Sequence, residues 1–215
     1  MKYLSKLALG TLVLAVASVS FGQTVVAPAD AIQQEEMGNL NSPDGDSFIH
    51  MWNAAENGGT DATGSIVAQV YVFDATDEQL VACCSCTLTP DQGVTLSAKK
   101  QLIKNTLTGV LPASITVKLV ATLGGNAATD QTAAGAPGFT SGLRADRTTT
   151  HVTADYTGIP NFVTEVDFKD VSISTTEYET RMLEFCSDII LNGSTHGICA
   201  LPACTKGVAG GVTKN

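Results

Sequence analysis

Six cysteines are the residues of this chain best suited to chemistry, and their spacing divides them into two groups. Cys83, Cys84 and Cys86 stand within four residues, and Cys186, Cys199 and Cys204 follow about a hundred positions later. An even set of thiols suits three disulfides in an oxidising compartment. Each bridge closing a loop of ~100 residues would contribute on the order of 4 kcal/mol by loop-closure entropy. A bond between the adjacent Cys83 and Cys84 is strained, so bridges are expected between the two groups, with six pairings open and a Cys199 to Cys204 loop as the obvious exception. The same sulfurs offer a second chemistry. Cys84-Ser85-Cys86 suits a soft metal, and His196-Gly197-Ile198-Cys199 together with Cys204 matches part of a zinc ligand set. The two paired Cys-x-x-Cys spacings of a common structural zinc site are absent. Metal binding or thiol redox through Cys84, Cys86, Cys199, His196 and Cys204 therefore stands as the alternative to structural disulfides.

The other reactive residues are scattered. His50, His151 and His196 are isolated from one another in sequence. Glu165 and Asp167 could serve acid–base chemistry as a carboxylate pair, although a solvated strand face explains them equally well. No Gly-x-Ser-x-Gly elbow, His-Glu-x-x-His, phosphate loop or dinucleotide fingerprint occurs. Asp44-Gly45-Asp46 lacks the alternating ligands and closing Glu of a calcium loop and reads as a turn. Asn192-Gly193-Ser194 matches a glycosylation sequon, but a helix end accounts for it. The pattern thus assigns no catalytic, cofactor-binding or metal residue.

The elements that must bring the cysteines together read mainly as strands. Residues 1–22 carry Lys2 and Lys6 ahead of an apolar run from Leu7 to Phe21, with Ser20 and Gly22 at the spacing a signal peptidase accepts. They read as a secretory signal peptide cleaved before Gln23. The run is short for the roughly 20 residues of a spanning helix, and no later segment is expected to cross a membrane. Lys2 and Lys6 leave with the signal, so 10 basic residues face 21 acidic ones, a net charge near −11. Nucleic acid and anionic membrane surfaces are poor partners for such a chain. Residues 23–46, polar and broken by Pro and Gly, read as a flexible N-terminal arm.

Residues 47–215 read as a single disulfide-stabilised β domain. Strands are expected over residues 47–53, 65–74, 79–87, 114–122 and 162–173, the second and third forming an antiparallel hairpin. In the last, Phe162, Thr164, Val166 and Phe168 alternate with Glu165, Asp167 and Lys169. Another strand is expected within 139–157, after a long surface loop over 124–138. Residues 94–108 fit neither period and read as strand or loop. One helix is predicted near 176–191: Ser174-Thr175-Thr176-Glu177 has the form of a capping box, and Tyr178, Met182, Cys186 and Ile189 or Ile190 recur at helical spacing. Cys186 therefore lies on an apolar helix face. In an extended strand Cys84 and Cys86 point to one side and Cys83 to the other, so the three thiols cannot all reach one partner element.

The runs Tyr71-Val72-Phe73-Asp74, Cys83-Cys84-Ser85-Cys86, Leu88-Thr89-Pro90 and Asn105-Thr106-Leu107-Thr108, followed by Cys186-Ser187 and by Gly193 to Cys199 with Cys204, resemble a family of exported bacterial proteins. The Cys83 to Cys86 cluster is the most specific part of the resemblance, which covers most of the chain after the signal. It implies export and a shared cysteine pattern. No activity or functional residue is carried over with it.

The expected architecture is mainly β: an antiparallel β-sandwich of about six to nine strands with one C-terminal helix tied to the Cys83 to Cys86 strand. The expected role is that of an exported, non-enzymatic envelope or extracellular protein that binds or has a structural function. The β-prone Thr24-Val25-Val26-Ala27, at the freshly cut N-terminus, is expected to be able to add to a neighbour's sheet edge and promote homo-oligomers.

Overall fold

The alternation that marks residues 65–74 and 79–87 as strands is realised in a computed structural model of the protein, which describes residues 24–124, 138–151, 162–192 and 196–200. Nine strands form among them: β1 (Ile32–Met37), β2 (Asp46–Asn53), β3 (Ile66–Asp74), β4 (Leu80–Leu88), β5 (Gly93–Ser97), β6 (Ile115–Thr122), β7 (Leu143–His151), β8 (Phe162–Asp167) and β9 (Lys169–Asp170). All pair antiparallel, in a five-stranded sheet ordered β4-β3-β6-β1-β9 and a four-stranded sheet ordered β5-β2-β7-β8. The protein is a mainly β sandwich with one C-terminal helix. That helix winds in wide π-type turns over Glu177–Glu184 and in α-type turns over Phe185–Asn192.

The five-stranded sheet is buried on both sides, which makes three layers. On its inner face Ala68, Val70 and Val72 of β3 and Val117 and Leu119 of β6 meet Ile49 and Met51 of β2 and Val94 and Leu96 of β5. On its outer face Tyr71, Phe73, Cys83 and Val120 lie beneath Tyr178, Met182, Leu183, Cys186 and Ile189 of the helix. A strand covered on both faces reads as a continuous apolar run, as IVAQVYVFD of β3 does. Its one polar interior residue, Gln69, accepts from Tyr71 Oη at 2.8 Å and donates to Thr122 Oγ1 at 3.0 Å, so no buried amide dipole is wasted.

The helix starts where its capping box predicts, the Ser174 hydroxyl accepting the Glu177 N–H at 3.0 Å. Its first half is wider than the regular helix the sequence suggests. That wider turn brings Leu183, five residues after Tyr178, onto the buried side along with Met182.

Three expectations need correction. Residues 23–46 are not a flexible arm throughout, because β1 lies within them, between β6 and β9, so the domain begins before residue 47. The period of β1 is hidden in IQQEEM since two of its inward positions are polar: Gln33 Nε2 donates across to Leu143 O at 2.7 Å, and Glu35 pairs with Arg147 of β7 at 3.4 Å. Residues 94–108 resolve into β5 and a single wide turn, Ala98–Leu102. Lys99 and Lys100 suit a helix N-terminus badly, and Asp46 supplies the missing negative charge by accepting the Lys99 N–H at 3.1 Å. Finally, Phe162 is half exposed and only Phe168, at the corner between β8 and β9, is buried. The expected signal peptide over residues 1–22, residues 125–137 of the expected surface loop, Gly193 and Cys204 lie outside the described residues. No helix among the described residues is long and apolar enough to cross a membrane.

Candidate functional site

β4 is an edge strand, and its three cysteines are distributed by the pleat. Cys83 faces outward into the layer under the helix and is bonded to Cys186, with Cα atoms 6.0 Å apart. Cys84 faces inward between the sheets and is bonded to Cys199, with Cα atoms 5.6 Å apart. Cys86 shares the inner face and is also disulfide-bonded. The two groups thus meet as expected. The suggested Cys199 to Cys204 loop is not formed, because Cys199 is taken by Cys84.

The outer edge of β4 is clothed by two segments, one of which carries Cys199. The Cys83 N–H donates to Gly197 O at 2.9 Å, and Ile198 forms a parallel bridge with Cys83. The Leu107 N–H donates to Val81 O at 2.9 Å. An edge that would otherwise template a foreign strand is in this way partly satisfied within the chain. Gly197 makes the close approach possible: its φ is +76°, and a Cβ there would stand 2.6 Å from Ile189 Cγ2.

This arrangement limits the chemistry of the sulfurs. Cys84 and Cys199, two members of the alternative metal set, are joined to each other, and a disulfide sulfur is not the thiolate that a metal or nucleophilic reaction uses. His196, a third member, is exposed. Cys83 and Cys86 do stand at Cys-x-x-Cys spacing, but their odd separation along a strand sends them to opposite faces and different partners. A redox pair needs its two sulfurs within bonding reach of each other.

A second cluster occupies the solvent face of the four-stranded sheet. Register places His50 of β2 opposite Asp146 of β7, and Asp146 opposite Asp167 of β8, with Glu165 one row away opposite Thr148. Both ring nitrogens of His50 are engaged by hydroxyls, Nδ1 with Thr95 at 2.9 Å and Nε2 with Thr148 at 3.1 Å. Burial holds the Asp146 carboxyl above its ordinary value of 3.8; the nearby His50 opposes this, while Glu165 and Asp167 reinforce it. Asp167 of the carboxylate pair noticed in the sequence therefore stands in one row with Asp146 and His50, which only the strand register reveals, and Glu165 lies in the next row. Glu165 and Asp167 are exposed on an open sheet surface, a setting unlike the water-excluding clefts in which acid–base catalysts work. His151 sits elsewhere, stacked on Phe162 with centroids 4.3 Å apart and bonded to Thr164 at 3.0 Å. Asp46 of Asp44-Gly45-Asp46 also serves the fold, accepting from the Ser47 N–H at 2.8 Å as well as from the Lys99 N–H.

No family model matches the chain, and no curated protein does. A crystal structure of Thermotoga maritima 1070 matches with a TM-score of 0.36 at 7% identity, covering 64% of this chain and 90% of that one.

Proposed function

We propose that this chain is an exported, non-enzymatic protein of the cell envelope or extracellular space with a binding or structural role. The observation that carries the reading is the fate of Cys83 and Cys84: two adjacent residues bonded to partners 103 and 115 positions away. Long-range bridges of this kind persist in oxidising compartments. The leader-like residues 1–22 and the resemblance to exported bacterial proteins support the same reading. Against the metal or thiol-redox alternative stands the bond between Cys84 and Cys199.

The test is expression with the native leader, followed by fractionation, N-terminal sequencing and thiol titration without reductant. The reading expects a chain beginning at Gln23, outside the cytoplasm, with no titratable thiol. An uncleaved cytoplasmic chain with free thiols overturns it.

Self-association through the N-terminus belongs to the same proposal, in a revised form. Thr24 forms a bridge with Ser174, the Val25 N–H donates to Ile173 O at 2.9 Å, and Val26 is 95% exposed. An oligomer would exchange these bonds between copies rather than add new ones. Deleting residues 23–29 spares β1, and light scattering then decides: an oligomer that becomes monomeric supports exchange, and a full-length protein already monomeric at high concentration excludes it.

A further inference from the structure

We infer that the groove between the C-terminal helix and the 105–111 loop is a binding site for small amphipathic cations, molecules with an alkyl or aryl body and an amine end. The groove has a volume of about 460 Å³, within the range of small-molecule sites. Leu80, Leu107, Phe185 and Ile189 form its apolar surface. Leu80 and Ile189 are buried members of the outer core, so a ligand entering the groove would touch the packed layer beneath the helix. Phe185 and Leu107 instead remain 47% and 42% exposed.

The surroundings concentrate apolar surface at this end of the molecule. Among the described residues, five of the ten exposed large hydrophobic side chains, Leu107, Val110, Leu111, Phe185 and Leu191, belong to the two segments that flank the groove; Leu107 and Phe185 line it, and Leu111 lines a separate hollow. Scattered exposed apolar residues need no explanation, whereas a patch around a concavity marks a site of contact. Both walls are also held in place before anything binds. The loop is clipped to β4 by the Leu107 N–H on Val81 O at 2.9 Å and closed on itself by the Thr106 hydroxyl on Val110 O at 2.8 Å. The helix is fixed beside Phe185 by the Cys83–Cys186 bond. Walls fixed in this way spare a ligand the cost of ordering them.

Charge selects the ligand. Among the described residues, Asp188 is the one charged residue lining the groove, with the amides of Gln79 and Asn192 beside it. A carboxylate only accepts hydrogen bonds, and the whole chain carries a formal net charge of −9. An apolar molecule bearing a protonated amine satisfies both walls and rim, and one bearing a carboxylate meets repulsion. The exposed rim position limits the preference to about two- to fivefold, the range of a solvent-exposed ion pair.

Because the protein is tested in its purified, disulfide-bonded form, failure of export and failure of this site are separate results. The experiment is a titration of the mature protein, followed by amide NMR shifts, with three probes of matched body: 4-phenylbutylamine, 4-phenylbutanol and 4-phenylbutyrate. The expected result is that shifts concentrate on Leu80, Leu107 and Ile189, with the amine bound about two- to fivefold tighter than the alcohol and the acid weakest. Asp188→Asn should bring amine and alcohol together, and Phe185→Ala should weaken both alike. Both substitutions fall on exposed side chains, and unchanged shifts elsewhere would report an intact fold. Absent or scattered shifts with the amine overturn the site, and an amine preference that survives Asp188→Asn overturns its selectivity.

Discussion

The two faces of the five-stranded sheet are closed in the same way by unlike partners. The inner face packs against a second sheet, residue alternation against residue alternation, and is crossed by Cys84–Cys199. The outer face packs beneath a single helix and is crossed by Cys83–Cys186. One step along β4 changes which layer a sulfur enters, because successive side chains of a strand point to opposite sides. Two adjacent cysteines can therefore staple two different layers, provided the partner region is long enough to reach both. Here it is: Cys186 lies within the helix, and Cys199 follows after the chain turns back along the edge of β4. The inner layer is bounded by sheets on both sides, whereas the outer one depends on one element joined at its ends.

That difference predicts unequal responses to the loss of each bridge. Cys84→Ser with Cys199→Ser and Cys83→Ser with Cys186→Ser each remove a long-range closure worth about 4 to 5 kcal/mol of loop entropy. The first pair should lower the urea midpoint of the whole domain. The second should in addition speed amide exchange in the helix ahead of the strands, since detaching one layer leaves the sandwich formed. Coincident exchange of helix and strands in both variants would erase the distinction.

Core truncations sharpen the comparison at slightly lower cost. Leu119→Ala on the inner face and Met182→Ala on the outer face each remove a fully buried side chain, for about 2 to 5 kcal/mol. Denaturation should place Leu119→Ala at the upper end of that range, because two sheets cannot collapse onto the cavity as one helix can. Gly197→Ala acts at the seam between the layers. The left-handed backbone alone costs an alanine about 1 to 2 kcal/mol, and the contact with Ile189 adds to it, so a midpoint equal to that of the natural protein would contradict the close approach.

The smallest effect lies away from both layers, on the solvent face of the second sheet. The Asp146 carboxyl is raised in the folded state, chiefly by burial, so between its ordinary and raised values the folded chain holds more proton than the unfolded one. Stability therefore falls as pH rises through that window. Asp146→Asn should flatten this acid-range slope and leave the protein more stable at neutral pH by less than about 1 kcal/mol, solvent screening limiting the gain. A steeper slope in the variant would contradict the assignment.

Much of this architecture is legible in the sequence, and the parts that are not share a cause. β2, β3, β4 and β6 announce themselves through β-branched and aromatic residues between turns, and the helix through Ser174 and Glu177. The division of the cysteines between two faces follows from the pleat alone. β1 is illegible because Gln33 and Glu35 look like surface residues, and Leu143 and Arg147, more than a hundred positions away, help make their burial tolerable. The row of His50, Asp146 and Asp167 exists only through strand register, and the apolar groove only through the meeting of a loop with a helix. Local pattern specifies elements; partners across the fold specify which polar residues they bury and which surfaces they share.

The central claim is that Cys83 and Cys84 serve different layers, and a disulfide map of the non-reduced protein tests it most directly. No protease separates two adjacent cysteines conveniently, so the linked peptides should be fragmented by electron transfer, which cleaves between Cys83 and Cys84 and opens each bridge in turn. The account predicts Cys83 linked to Cys186 and Cys84 linked to Cys199. Cys83 linked to Cys199, Cys84 linked to Cys186, or either residue recovered as a free thiol would contradict it.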